Sequence, residues 1–328
     1  MHALAPSLSR GAPSARATML DDHAVIAAQG PDATAFLHGQ LTQDILGLAG
    51  QARPAGYCTA KGRLLATMVA WDAPADQTVW LLVRRDIADT LVKRLSMFVL
   101  RAKVKLALAP LRVAGVWCGG GADALAALSA AAGGDLPGQP WQRADLPCGT
   151  WIAAPSAGET KRWWWMAPAA QQDPAGALAG LFGQADAAAW AADDIAAGLP
   201  WVQAATQDMF IPQTVNLDLI GGVSFTKGCY PGQEVVARSH YRGTLKRRMA
   251  YGTAPAAAGP VQPGSDVYEA GRPEPSGRVV NAAPAPQGVA LLFEAAFEAL
   301  ARGALRLGSA DGPAITPAAL PYEVPAPA

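Results

Sequence analysis

The stretch richest in reactive residue types runs Phe225-Thr226-Lys227-Gly228-Cys229-Tyr230-Pro231-Gly232-Gln233-Glu234 and continues through Val235-Val236-Ala237-Arg238. It sets an amine two residues from a thiol. Pro231 suits the first turn of a helix, where no backbone N–H is needed, and this places Cys229 just ahead of a helix N-terminus. That position and the nearby Lys227 both favour a thiolate over a thiol of ordinary pKa, about 8.5. Gly228 allows backbone geometry that other residues resist. Glu234 falls in the first helical turn, where the dipole stabilises a carboxylate. An isolated Lys-Gly-Cys is more often a buried cysteine beside a surface lysine, because free Cys is among the most buried residue types. The density of unusual residues around this one moves the balance toward chemistry.

Other candidates are weaker. The cysteines are Cys58, Cys118, Cys148 and Cys229, widely separated and without a C-x-x-C pair. They encode neither a zinc site nor a self-contained iron–sulfur ligand set, so no metal site is expected. Arg238, His240, Arg242, Lys246, Arg247 and Arg248 form a basic run with no acid, suited to a polyglutamyl tail or a phosphate backbone. Gly119-Gly120-Gly121 lacks the residues of a phosphate loop and reads as a turn. Trp163-Trp164-Trp165 reads as strand packing. The histidines, His2, His23, His38 and His240, suggest no Ser/His/Asp arrangement.

The elements that must position these residues are legible in outline. His23 to Ala28 reads as a strand closed by Gly30-Pro31, followed by a helix with Ala33, Phe36, Leu37 and Leu41 on one face. Tyr57 to Trp71 reads as a hairpin turning at Ala60-Lys61-Gly62, and Trp80 to Arg84 as a strand. Ile87, Leu91 and Leu95 mark an amphipathic helix over Asp86–Met97. Lys103 to Ala109 alternates like a half-buried strand. A second unit begins near Pro110, with strands at Leu111–Trp117, Thr150–Ala154 and Arg162–Met166. Its helices run from Asp123 to about Ala132 and from about Pro174 to Phe182. Asp186 caps a further helix that ends at Gly198-Leu199-Pro200. Beyond Lys246, short β-prone runs separated by Pro and Gly predict a small barrel or sandwich. Met1 to Leu20 has Arg10 and Arg16 and no acid, in the manner of a transit peptide, but reads as an unstructured tail. Pro255–Pro263 reads as a linker and Pro321–Ala328 as a tail.

The 328 residues are enough for two or three domains, and with 51% hydrophobic and 16% charged residues a sizeable core is expected. Lys+Arg and Asp+Glu both number 26, so wholesale electrostatic capture of nucleic acid is not implied. Direct tRNA contact through the basic run is therefore not favoured. No apolar run approaches the roughly 18–20 residues of a membrane span. Free thiols in a chain of this length indicate a reducing compartment, the cytoplasm.

Several motifs occur together. Lys227-Gly228-Cys229-Tyr230-x-Gly-Gln-Glu is preceded by Ile211-Pro212-Gln213, Asn216-Leu217 and Gly221-Gly222-Val223-Ser224-Phe225, and followed by Ala237-Arg238 and Arg242-Gly243. Upstream stand Gly30-Pro31-Asp32, Phe36-Leu37-His38-Gly39-Gln40-Leu41-Thr42 with Asp44, and Tyr57-Cys58-x-Ala60-Lys61-Gly62-Arg63. Over about residues 20 to 245 the chain resembles the YgfZ/GcvT-type folate-binding family.

The resemblance implies an α+β, three-domain aminomethyltransferase-like fold with a folate site in a central opening and a small C-terminal β-barrel. The first domain would be 20–109 completed by 200–245, the second 110–199, the third 246–328. The implied cofactor is tetrahydrofolate or a one-carbon derivative. The implied role is support of iron–sulfur enzymes or assembly factors, and through them of tRNA modification. Lys227 and Cys229 carry over as the functionally critical pair, within a motif that includes Gly228, Tyr230, Gly232, Gln233, Glu234 and Arg238. Trp190 matches one aromatic position that relatives associate with folate, and its indole would stack on the pterin in the same opening as Cys229 and Lys227. The other position falls at His23, where relatives can have Trp. Aminomethyltransferases carry an acidic pair just after the hairpin glycines, whereas Arg63-Leu64-Leu65-Ala66-Thr67 has no carboxylate. Acid–base work needs a titratable group within reach, so the glycine-cleavage reaction is not expected. The alternatives are a one-carbon transferase with another substrate, or a folate-free interaction module for iron–sulfur assembly.

Overall fold

A computed structural model describes residues 15–172, 182–241, 245–286 and 288–325. The first strand, β1 (Ala15–Met19), lies in what the sequence suggests is a tail. Only Leu20–Asp22 separate it from β2 (His23–Gln29), which belongs to a different sheet. Next come α1 (Ala33–His38), β3 (Arg53–Cys58), β4 (Leu64–Ala73), β5 (Thr78–Arg84), α2 (Arg85–Ser96) and β6 (Lys105–Leu108). These strands form an antiparallel sheet in the order β3-β4-β5-β2-β6.

The period-2 patterning of these strands decides which layer each residue enters. Ala24 and Ile26, Met68 and Ala70, and Leu81 and Val83 point to the side where Leu37, Ile87, Leu91 and Leu95 supply the helical faces. Val25, Val69, Trp71 and Leu82 point the other way, onto a second sheet. That sheet is built from β7 (Arg112–Cys118), which is followed by α3 (Gly121–Ala132), and from β8 (Arg143–Leu146), β9 (Gly149–Ala154), β10 (Lys161–Ala167) and β11 (Phe182–Gln184). Its order is β11-β1-β7-β10-β9-β8. β1 owes its place to full pairing, antiparallel to β7 from Ala15 opposite Cys118 to Met19 opposite Ala114, and parallel to β11. The tryptophan run divides by parity: Trp163 and Trp165 face α3, and Trp164 faces the layer between the sheets. Most of the helix expected over Pro174–Phe182 lies outside the described residues; Phe182 itself is in β11.

α4 (Ala187–Ala196) is capped as expected, with Asp186 accepting from the Ala188 N–H at 2.9 Å and Gly198 turning at φ +71°. The segment after it runs back to the first sheet, where Leu64 N–H donates to Phe210 O and Ser224 N–H to Thr42 O. It ends in α5 (Gln233–Tyr241). The last part is a curled antiparallel sheet, a half-barrel, of β12 (Arg247–Ala254), β13 (Asp266–Glu269), β14 (Pro275–Ala285), β15 (Gly288–Ala296), β16 (Leu305–Leu307) and β17 (Thr316–Ala318), with α6 (Phe297–Arg302) between β15 and β16. Leu291 and Phe293 fill its inside; Ala290 and Leu292 pack outward on Val215, Leu217 and Val236. The C-terminal segment is no free tail: the Tyr322 hydroxyl donates to Gly198 O at 3.0 Å, and burial pushes its pKa up to about 12. No helix among the described residues is long and apolar enough to cross a membrane.

Candidate functional site

The motif residues form a loop, exposed at Gly228 and Cys229 and buried at Tyr230, that is braced on its underside. Thr42 organises the brace: its hydroxyl donates to Gly222 O at 2.6 Å and accepts the Gly56 N–H at 2.7 Å. Lys227 then folds inward. Its Nζ donates to the carbonyl oxygens of Leu41, at 2.8 Å, and of His38, the last residue of α1, and lies 4.9 Å from the centre of the Tyr230 ring. Partial burial lowers the Lys227 pKa to about 8, against the opposing pull of Asp44 and Cys229. His38 sits beside it with Nδ1 3.3 Å from Asp44 Oδ1; burial, then the Lys227 charge, lower its pKa. Cys229 is exposed, whereas burial pushes the Cys58 thiol up to about 12.

The sequence suggests Pro231 in the first turn of a helix. The helix instead starts at Gln233, after Gly232 at φ +80°. A Cβ on Gly232 would lie 2.4 Å from Thr59 O and 2.6 Å from Gly62 Cα. The motif glycine is thus the point where the loop backbone meets the hairpin turn, and Cys229 stands apart from the helix start. Glu234 is in the first turn and pairs with Arg238 at 2.6 Å. The basic run is less available than its sequence suggests. Arg247 lies 3.7 Å from Glu294, and Arg248 is buried with Asp218 at 2.6 Å. Arg242 and Gly243 lie outside the described residues.

His23 and Trp190 come together elsewhere, on the wall of a cavity of about 300 Å³ that also has Asp22, Arg84, Asp194 and Trp201 in its lining. Lys227 and Cys229 are not part of that lining. The supposed linker is: Val261, Gln262 and Pro263 close one side, with Asn281 to Pro284 of β14. His23 is buried, its Nδ1 2.7 Å from Asp22 Oδ1, and Asp22 also holds Arg84 Nη1 at 2.6 Å. Asp194 accepts from Arg162 Nη2 at 3.0 Å and from Trp201 Nε1 at 2.9 Å. Burial raises the Asp194 pKa, opposed by the Arg162 charge.

Trp190 is no open stacking platform. It is 1% exposed, with the Arg162 guanidinium 4.6 Å from its ring and the edges of Trp117 and Trp164 against it. A Cβ on Gly115 would come 2.3 Å from its Cε3, so β7 needs glycine there to admit the indole. Its Nε1, like His23 Nε2 and Arg162 Nη1, is buried without a partner.

Arg162 and Asp194 were not evident as site residues from the sequence. A faint signal exists for Asp194: it follows Trp190 by four residues, on the same helical face, so a buried tryptophan implies a buried carboxylate. His38 and Asp44 belong to a recognised motif, but only the fold sets them against Lys227.

The same architecture occurs in the aminomethyltransferase T of the glycine cleavage system from Bartonella henselae, with a TM-score of 0.72 at 17% identity over 94% of this chain and 86% of that one. No family model matches the chain. The tRNA-modifying protein YgfZ of Edwardsiella ictaluri is 35% identical over 242 residues, 70% of this chain and 68% of its own length. That of Cronobacter sakazakii is 33% identical over 259 residues, 76% of this chain and 74% of its own. This chain belongs to the YgfZ family. Its fold is the aminomethyltransferase fold. In the stretch Arg63–Thr67, which carries no carboxylate, the Thr67 hydroxyl donates to Pro200 O at 2.8 Å and accepts the Val202 N–H at 2.9 Å. That position is a structural tie.

Proposed function

We propose that this protein binds a reduced folate, tetrahydrofolate or a one-carbon derivative, with the pterin ring in the His23–Trp190 cavity. The Lys227–Cys229 loop then supports iron–sulfur enzymes in the cytoplasm, and through them tRNA modification. The observation that carries the folate reading is the wall itself: His23 Nε2 and Trp190 Nε1 are buried polar atoms without protein partners, beside a cavity of about 300 Å³. Buried polar groups are nearly always satisfied, so such atoms point to a ligand. The volume is at the lower end of small-molecule sites, roughly 300–1,000 Å³, and suits a bicyclic head group whose tail leaves the cavity.

The chain's own residues define what each region does. Asp194 and His23 bind and orient the ring; Trp201 and Trp190 exclude water. Lys227 holds a proton that it can give up near pH 8 beside an exposed thiol. One thiolate does not hold a cluster alone, so the loop acts on a cluster or thiol that the partner brings. An accessory role fits better than one-carbon transfer, because Arg63–Thr67 supplies no carboxylate and Thr67 is committed to the backbone.

Anaerobic calorimetry with tetrahydrofolate tests the first part: micromolar binding is expected, and a folded protein that binds none sinks it. Complementation of a deletion strain tests the second. Cys229→Ala is expected to bind folate and yet fail to restore iron–sulfur enzyme activity; full rescue removes the role given to the thiol.

A further inference from the structure

Large apolar side chains that stay exposed are few among the described residues, and they are not evenly spread. Of Leu46, Met97, Phe98, Leu100, Leu108 and Tyr241, three fall within four consecutive positions, and Leu100 is 86% exposed. Single exposed apolar residues are ordinary, whereas a contiguous set marks a surface that meets something apolar. The three follow directly on the last turn of α2.

Their exposure is built in. Phe98 N–H donates to Leu95 O at 3.0 Å, Val99 N–H to Ser96 O at 3.2 Å and Leu100 N–H to Phe98 O at 3.0 Å, so the backbone coils into a tight knob. Val99 and Val104 turn inward and pack on the helix-side core of the first sheet. Asp32 Oδ2 accepts the Lys103 N–H at 2.6 Å, and Gly30 leaves no room for a Cβ beside Lys103 O. With both ends fastened, Met97, Phe98 and Leu100 project from a fixed base, and little ordering remains to be done on binding.

The charge around the knob has one sign. From Lys93 to Lys105 the chain has Lys93, Arg94, Arg101, Lys103 and Lys105 and no acid. Lys93, Arg101, Lys103 and Lys105 are exposed and join no ion pair. By contrast, exposed Arg238, Arg272 and Arg278 each have a carboxylate within reach. On a chain with 26 Lys+Arg and 26 Asp+Glu, an unneutralised cluster is a local feature that turns this face toward negative charge.

Two properties select the kind of anionic surface. The apolar part projects rather than lining a groove. A protein would need a matching recess, whereas the acyl layer beneath lipid headgroups admits an apolar side chain of any shape. Three of the four exposed cations are lysines. Lysine is a point charge that answers a diffuse negative potential, while recognition of individual carboxylates favours the planar fork of arginine. Lysine stems also lie along apolar surface while their heads stay in water. No helix among the described residues is long and apolar enough to cross a membrane, but lying on one needs only a few apolar side chains and a basic surround.

We propose that Met97, Phe98 and Leu100 form an interfacial anchor which, with the four cations around it, seats this protein reversibly on an anionic lipid surface. Neither folate nor the thiol loop takes part in the contact, so it stands or falls apart from the function proposed above.

The test is flotation of the full chain with vesicles of phosphatidylcholine alone and with about one third phosphatidylglycerol, which gives the surface a negative potential. The native protein is expected to bind the mixed vesicles at least about tenfold better than the neutral ones, and to be released by salt. Arg101→Glu with Lys103→Glu should weaken binding to the mixed vesicles by at least about tenfold. Met97→Ser with Leu100→Ser should weaken it about fivefold or more and leave its salt dependence unchanged. Melting curves identify any variant that does not fold. An environment-sensitive dye on Leu100→Cys, in a Cys229→Ser background, gives an independent reading: its emission should shift to the blue with mixed vesicles and stay put with neutral ones. No binding of the native protein, equal binding to both kinds of vesicle, or unchanged binding of both folded double variants overturns the proposal. So does failure of the double variants to restore iron–sulfur enzyme activity while the native protein binds no vesicle; the knob is then a contact for an acidic protein surface.

Discussion

The thiol loop and the His23 cavity use charge in opposite ways. In the loop, Lys227 is only partly withdrawn from water, its amine resting on carbonyl oxygens, with an exposed thiol beside it. Around the cavity, Asp22 pairs with Arg84 and Asp194 with Arg162, and buried nitrogens of His23, Trp190, Arg84 and Arg162 are left without a partner. The first arrangement suits a surface that a macromolecule can reach. The second suits a small, largely uncharged ring that must be read by direction. One region is built to be touched and the other to be filled.

That contrast can be broken most severely at the cavity. Trp190→Ala removes a fully buried indole from among Trp117, Trp164 and Arg162. It is expected to cost about 3–5 kcal/mol in chemical denaturation, so loss of ligand binding in this variant alone says little about stacking. Inside the loop the contrast sharpens between two glycines. Gly232→Ala combines a left-handed φ with a Cβ driven into the hairpin backbone, and is expected to cost about 2–4 kcal/mol. Gly228→Ala, whose Cβ would meet nothing closer than His38 Nε2 at 3.9 Å, should stay within about 0.5 kcal/mol.

A smaller effect follows from the Lys227 amine. Acylation of Lys227, followed by peptide mass spectrometry, should show a midpoint near pH 8, whereas an ordinary lysine titrates near about 10.4. The sign for stability follows. Between about pH 8 and 10.5 the unfolded chain keeps this proton and the folded chain has released it, so the contribution of Lys227 to stability rises with pH through that window. A midpoint at the ordinary value would mean the amine is as hydrated as any on the surface. The smallest effect belongs to Cys229→Ser, expected to change stability by less than about 0.5 kcal/mol. In the native protein Cys229 should be alkylated at neutral pH while buried Cys58 is spared; equal protection of both thiols would contradict an accessible loop.

The sequence was readable where local rules govern. The helix at Ala187–Ala196 has its Asp186 cap and Gly198 stop in plain view, and the hairpin at Ala60-Lys61-Gly62 and the alternation of the tryptophan strand follow from turn chemistry and the period of a strand. The Lys227–Cys229 motif was equally plain because its residues are contiguous. What was hidden depends on distant pairing. Ala15–Met19 is too rich in small residues to announce a strand, and becomes one because β7 and β11 offer it open edges. Trp190 looked available because nothing nearby in sequence shows that Gly115 and Arg162 close over it. The cavity's ion pairs join residues 32 or 62 positions apart, Arg162 with Asp194 and Asp22 with Arg84, a distance at which sequence pattern is silent.

The cavity wall has a consequence for how the chain matures. His23 comes from near its start, Trp190 and Asp194 from the middle, and Asn281 to Pro284 from the last sheet, while Tyr322 clamps the turn at Gly198 that ends the tryptophan-bearing helix. On a ribosome these parts emerge in that order, so the first two sheets can pair while the chamber still lacks a side. The wall of the proposed ligand site is therefore complete only in the finished polypeptide, and a chain stalled before its half-barrel would leave His23 and Asp194 without the side that Asn281 to Pro284 supply.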